Sequence, residues 1–276
     1  MSDPDRRLTP FSGHFALESL RGKVAAQAFI RGEPARLIAP IVDLVASPGA
    51  LRERQVIFGA ALTVIERRAG LAFVQAAADG YCGWLPEAAL GPALVATHVV
   101  NALGSHVYRE PSIKRGEVMA LGIGARLAVE EITGRFARIA EGWVPRTHIR
   151  PIEQPEADPV AVAERLLGTP YLWGGNSRDG IDCSGLVQLA LTLCGIGCPA
   201  DSDQQRAAFG AFLPEGTRPE RGDLFFWPGH VAMAVDGTRL IHANGQTMSV
   251  AHEDIDACIA RIDAAGEGPL YGIKRP

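Results

Sequence analysis

Two stretches of this chain repeat one pattern, and the repeat limits what the first half can fold into. Residues 59–86 read GAALTVIE, then GLAFVQ, then GWLP; residues 124–145 read GARLAVEE, then GRFARI, then GWVP. Apolar and polar residues alternate over short runs, and Gly-bearing turns separate them. That alternation predicts short antiparallel strands. Each unit closes on Gly-Trp-aliphatic-Pro, so Trp84 and Trp143 are expected core anchors, and Pro86 and Pro145 end strands. Two small β-barrels of about 50–60 residues each follow, within the ordinary size of small domains. RLIAPIVDLVA, residues 36–46, reads as a lead-in strand to the first barrel, and residues 1–20 as an extended arm. The first unit carries an insertion, Asp79-Gly80-Tyr81-Cys82, ahead of its Trp. It reads either as an ordinary hairpin turn or as a turn that presents Tyr81 to a neighbouring domain.

Residues 151–159, PIEQPEADP, are rich in proline and acid and mark a domain boundary. Asp158 or a neighbour could cap the next segment, PVAVAERLLG, whose apolar spacing is helical and which stops at Gly168. TPYLWGG is a loop. Cys183 to Cys194 reads as a largely buried helix ended by Gly195. DLFFW, HVAMAVDG, RLIHA and YGIKR read as strands. Helices followed by a run of strands imply an α+β domain.

The bulk numbers exclude more than they specify. A net charge of -4 over 276 residues, with no Lys/Arg block, gives no sign of a nucleic-acid partner. The start, MSDPDRRLTPFSGHFALESL, lacks the basic lead and apolar run of a secretory signal, and no stretch is long enough for a membrane span. A cytoplasmic protein is expected. Five cysteines is an odd number, and they are expected as free thiols. Cys194 and Cys198 have no further ligands at zinc spacing, so no metal is expected. Cys194, Cys198 and Cys258 fit small core residues.

Cys183 is different. It stands where the glycine-rich stretch YLWGGNSRDGI gives way to the apolar helix. Amide N–H groups and the dipole at a helix start favour a thiolate, so its pKa is expected to be lowered there. A nucleophilic thiol also needs a base. His230 opens the strand HVAMAV and His242 lies in the next, RLIHA. A hairpin through Asp236-Gly237 puts the two histidines side by side, one toward the thiol and the other behind it. A Cys at a helix start is also a common structural residue, and a strand histidine a common surface one. The combination is more specific than its parts.

The ordered blocks YLWGGNSRDGIDCSGLVQLAL, RPERGDLFFW, GHVAMAVDG and LIHANG resemble the NlpC/P60 family of papain-like cysteine peptidases over about residues 159–276. The two GW[LV]P repeats resemble, more weakly, the bacterial SH3 domains found ahead of such catalytic domains. The resemblance implies an arm at 1–35, SH3-like barrels at 36–95 and 96–152, and a peptidase domain at 159–276, with helices packed on an antiparallel sheet. It implies hydrolysis of cell-wall (murein) stem peptides between γ-D-glutamate and a diamino acid, without metal or organic cofactor. Cys183 would be the nucleophile, His230 the general base and then acid, and His242 the residue orienting it. Asn244 would take that role if the register differed by a pleat. The Tyr171 hydroxyl would assist the Cys183 N–H at the oxyanion site. Trp173 and Asp182, in the same blocks, would line the substrate site.

A subset of the family with SH3-like domains resembles the chain further. In it the first SH3 domain restricts the groove to stem peptides with a free N-terminal L-alanine. Asp201 in Pro199-Ala200-Asp201-Ser202 matches the aspartate that binds that amine, although an N-cap for SDQQRAAFG fits Asp201 equally. Ser184 and Ser202 would bond the D-glutamate carboxylate, and Tyr81 would cover the amine end. The subset has a glutamate where this chain has Ala60, with Glu53 or Glu66 as substitutes. Recycling of free murein peptides by a monomer is therefore expected. Hydrolysis of intact, cross-linked peptidoglycan is the alternative, with amidase or acyl-transfer chemistry or a non-catalytic wall-binding role behind it.

Overall fold

The computed structural model describes residues 5–276, which divide into two compact units, one running to Glu153 and the other from Gln154 to Pro276.

In the first unit the repeats fold as antiparallel strands. Seven strands form one sheet in the order Arg52–Ile57, Ile41–Val45, Cys82–Pro86, Leu71–Ala76, Ala61–Arg68, Glu33–Leu37, Leu90–Pro92. The expected single lead-in strand is two strands, because the chain turns at Pro40, which has no N–H for a ladder. A second module carries a five-stranded sheet of Glu117–Gly122, Gly104–Tyr108, Gly142–Pro145, Phe136–Ile139 and Glu131–Thr133, beside a three-stranded one. The two Trp residues occupy matching register positions. Trp84 pairs with Phe73 and Val45, and Trp143 with Arg138 and Tyr108. Their burial differs. Trp84 is core, under Phe15, Leu17 and Ile30, whereas Trp143 is only partly buried and Val144 fills the second core.

The cover over Trp84 corrects the expectation of an extended arm. Phe15–Leu17 and Ala28–Ile30 pair as parallel strands, and their apolar side chains close that outer face of the first sheet. Residues 1–4 lie outside the described part. The modules are joined by backbone. Arg126 N–H donates to Phe58 O at 3.0 Å, and Phe58 sits in the second core. Gly59, at φ +78, is required there: a Cβ would stand 1.8 Å from Arg126 O.

The second unit holds every α-helix of the described residues. Helix α1, Pro159–Glu164, is capped by Asp158, which accepts from Val160 N–H at 3.0 Å. Helix α2, Cys183–Leu193, is buried along nearly its whole length, and Gly195 (φ +77) follows its C-cap. Helix α3 is Ser202–Ala208. An all-antiparallel sheet runs in the order Ser249–Asp254, Arg239–Asn244, His230–Ala234, Leu224–Trp227, Gly272–Lys274. The strand Ser249–Asp254 and helix α4, Ile255–Ala264, were not expected. Helix α4 packs Ile255, Cys258 and Ile262 on Phe225, Trp227, Ala232, Ala234 and Leu240. Side chains alternate across a sheet, so His230, His242 and Glu253 share the face that α4 covers. Helix α2 packs on the His230–Ala234 and Arg239–Asn244 strands.

Candidate active site

The helix start that carries Cys183 is built by Asp182 and glycines. Asp182 Oδ1 accepts from Gly185 N–H at 2.7 Å and from Ser184 Oγ at 3.1 Å, and Oδ2 accepts from Gly174 N–H at 2.8 Å. One carboxylate thus caps α2 and ties the YLWGG loop to it. The loop seats so closely that a Cβ on Gly185 would stand 2.6 Å from Gly175 O. Three protein donors hold the Asp182 carboxylate, so it serves as a structural anchor. The Ser184 hydroxyl is likewise turned to the cap.

Cys183 is 5% exposed. Its Sγ lies 4.0 Å from the Gly229 carbonyl, so the thiol rests against the strand start that carries His230. The expectation of a lowered thiol pKa is corrected: burial, and then the Asp182 charge, push it up to about 12. The N–H groups of Val231, Ser184 and Cys183 pull in the opposite direction and do not prevail. Desolvation outweighs the helix start here because the thiol is shut away from water.

His230 Nε2 is 2.9 Å from His242 Nδ1. The hairpin pairs Met233 with Ile241 and Ala234 with Leu240, so the histidines are diagonal neighbours on one face. Asn244, the alternative orienter, instead accepts from Thr247 N–H at 2.8 Å and closes its own turn. His242 is 1% exposed. Burial holds both rings neutral, His230 down to about 3 and His242 down to about 4. The thiol and both imidazoles are thus neutral at rest. A proton passed from Cys183 to His230 leaves the net charge of the site unchanged.

The other expected residues lie as follows. Burial first, and then the Cys183 and Asp182 charges, push the Tyr171 hydroxyl pKa up, and the Tyr171 backbone bridges that of Ile181, two residues ahead of Cys183. Asp201 and Gln204 form a capping box on α3, with Asp201 N–H 3.4 Å from Gln204 Oε1, so the N-cap reading holds. Its charge also acts on Asp182. Ser202 opens α3, and the Trp173 indole is 69% exposed. In the first unit Tyr81 is 1% exposed, with the Arg54 guanidinium 5.1 Å from its ring centre. Its turn is ordered by Asp79, which accepts from Tyr81 N–H at 3.1 Å and pairs with Arg54. Glu53 pairs with Arg6, and Glu66 lies buried 3.5 Å from His14 and 3.6 Å from Arg68.

Sequence reasoning missed Glu253. Its carboxylate stands 3.0 Å from His242 Nε2 and is forked by Arg261, Nε to Oε1 and Nη2 to Oε2, both at 2.8 Å. The strand pattern of SVAHED and the Ile255, Cys258, Ile262 spacing of the following helix were the available signals.

A scan against protein-family models matches the NlpC/P60 family over residues 168–261, which contain the thiol, both histidines and Glu253. Dipeptidyl-peptidase 6 of Lysinibacillus sphaericus is 31% identical over 191 residues, 62% of this chain and 69% of that protein. The chain belongs to the NlpC/P60 family. It is a peptidase with an N-terminal bacterial SH3 domain, since the bacterial dipeptidyl-peptidase SH3 model matches residues 44–90. That match lies in the first β-module. The γ-D-glutamyl-L-lysine dipeptidyl-peptidase of Bacillus subtilis is 27% identical over 59% of this chain and 60% of its own length. An NlpC/P60 family protein of Bacillus cereus shares the fold with a TM-score of 0.73 at 21% identity, over 88% of this chain and 99% of that one.

Proposed function

We propose that this NlpC/P60 peptidase cleaves murein stem peptides between γ-D-glutamate and the diamino acid, and that its substrates are free peptides of the L-Ala-γ-D-Glu-diamino acid type, recycled in the cytoplasm. The observation that carries the reading is the 2.9 Å contact of His230 with His242 at the strand start against which the Cys183 thiol rests. The B. subtilis relative, named for γ-D-glutamyl-L-lysine, supports the bond. We also read the second β-module as a divergent copy of the first, on the matching register of Trp84 and Trp143.

The chemistry follows from the neutral pair. His230 Nε2 is occupied by His242, which leaves Nδ1 for Cys183. As Sγ attacks the γ-carbonyl carbon, the thiol proton moves to His230 Nδ1. The carbonyl oxygen becomes an oxyanion near the N–H groups of the α2 start, assisted in this reading by the Tyr171 hydroxyl; one such donor lowers the barrier by about 3 kcal/mol. His230 then protonates the departing amine, and the C–N bond breaks to leave an acyl-enzyme. Water, losing a proton to His230, hydrolyses the thioester and restores the thiol. The Asp201 charge next to Ser202 suits a substrate ammonium. With Ala60 in place of a second carboxylate, selection for a free amine should be weaker than two acids would give.

The test incubates purified protein with L-Ala-γ-D-Glu-L-Lys, its N-acetylated form and intact sacculi, with products read by mass spectrometry. Cleavage of the free peptide, slower cleavage of the acetylated one and none of sacculi is expected. Cys183→Ala should abolish all cleavage with its far-UV spectrum unchanged. Cleavage of sacculi alone would refute the recycling role, and an active Cys183→Ala the catalytic assignment.

A further inference from the structure

The mechanism above gives no role to Glu253, Arg261 and Cys258, although they sit directly behind its histidines. Ligand atoms of His242, Glu253 and Cys258 lie within 4.8 Å of one another, a spacing that could hold a metal ion. Arg261 occupies that place instead. Its guanidinium takes both Glu253 oxygens and brings Nη2 to 3.7 Å from Cys258 Sγ, so the cation of the cluster is the arginine itself. The cluster is an ion pair with its negative side toward a buried imidazole.

We propose that Glu253, clamped by Arg261, is a positioning residue that fixes the tautomer of His242 and, through it, the proton of His230. The inference rests on the reading of Cys183 and His230 as nucleophile and base. A carboxylate 3.0 Å from His242 Nε2 favours a proton on that nitrogen, since its negative charge attracts an N–H dipole and disfavours a ring lone pair nearby. The carboxylate lies off the N–H axis, so the hold is mainly electrostatic. With Nε2 protonated, neutral His242 has its lone pair on Nδ1. That nitrogen, 2.9 Å from His230 Nε2, must then accept, and His230 carries its proton on Nε2. His230 Nδ1 is left as a lone pair, the form that can take the Cys183 proton. Without Glu253, His242 could protonate Nδ1 instead, turn His230 over, and put an N–H where the base should be.

The charged groups around Glu253 are few. The neighbouring strands bring His242 and His230. Helix α4 brings Cys258 and Arg261, with Glu267 beyond its end acting on Arg261. His252 belongs to the other face and meets Glu164 at 3.3 Å. The signs of two variants therefore differ. Glu253→Gln removes the charge that favours an imidazolium. Arg261→Met removes the cation that opposes it and leaves the carboxylate unshared.

The experiment is 15N NMR of histidine-labelled full-length protein across pH, which needs no substrate. In the wild type, His242 should be protonated at Nε2 and His230 at Nε2. Glu253→Gln should move the midpoint of histidine protonation down by about one pH unit, a tenfold change in the equilibrium, and populate the Nδ1–H form of His242. Arg261→Met should move it up, and Glu253→Asp should restore the wild-type tautomer. A wild-type His242 protonated at Nδ1 would overturn the proposal whatever the variants do. So would midpoints that stay in place, or that move the same way in both variants. A loss of these shifts while Cys183→Ala remains inactive would reject the role of Glu253 and leave the peptidase reading standing.

Discussion

Asp182→Asn separates a structural role from a substrate-binding one, because it should make the protein less stable and its thiol more acidic at once. Asn keeps an oxygen for Gly185 N–H and Ser184 Oγ but turns an NH2 toward Gly174 N–H, which now sits 2.8 Å from Oδ2. An orphaned buried donor costs about 1–3 kcal/mol. Removing a carboxylate whose burial already opposes its charge returns part of that. A net loss of about 1–2 kcal/mol is expected, the range of a lost helix cap, and several degrees in Tm. The thiol should respond in the other sense. Asp182 is the main charge raising Cys183, so its loss lets the thiolate form at lower pH. The assay is the rate of iodoacetamide alkylation at Cys183, followed by peptide mass spectrometry from neutral to alkaline pH. A fall of about one pH unit in the midpoint, tenfold in rate on the rising limb, is expected. An unchanged Tm and alkylation profile with a raised KM would refute the reasoning and return Asp182 to the substrate site.

Two other perturbations test the catalytic unit. Buried Lys274 donates to the carbonyls of Arg206, Phe209 and Gly210 at 2.6, 2.8 and 2.7 Å, closing the end of α3. Lys274→Met should destabilise this unit by about 3–5 kcal/mol; an unfolding free energy from urea titration at 222 nm within about 0.5 kcal/mol of wild type, the size of an ordinary surface change, would contradict the assignment. His230 and His242 are held neutral at about 3 and about 4, below the ordinary 6.5. Between those values the unfolded chain binds more protons than the folded one, so stability is lost as pH falls, by about 1.4 kcal/mol per pH unit for each proton. Because the described α-helices all lie in this unit, ellipticity at 222 nm follows it; His242→Asn should flatten the pH slope, and equal slopes would count against the buried pair.

The strands and helices legible from the sequence were those whose pattern is local. The Gly-Trp repeats, the proline-rich boundary and the helix from Cys183 all describe residues that are neighbours in the chain. What could not be read was set by partners far away. Trp84 and Trp143 end the same motif, yet only Trp84 is core, because Phe15, Leu17 and Ile30 return to cover its face. Likewise a helix start promises a more acidic thiol, but the depth of Cys183 reverses the sign. Neither outcome is encoded within the motif that raised the expectation.

The same distinction explains which part of the site was found. Cys183, His230 and His242 stand in blocks with recognisable neighbours, so each could be named as a candidate from its own stretch. Glu253 has no such block. Its importance comes from register: Leu240 pairs with Glu253 and His242 with Ala251, which sets the carboxylate on the face of His242, one residue pair along. One turn into α4, Cys258 and Arg261 meet it from the covering layer. A one-residue slip of that strand would put Glu253 on the opposite face and leave His242 Nε2 without its carboxylate. The histidine we propose to orient the base thus depends on strand pairing for its own orientation, and helix α4, with its Arg261 clamp, belongs to the candidate site as much as to the core.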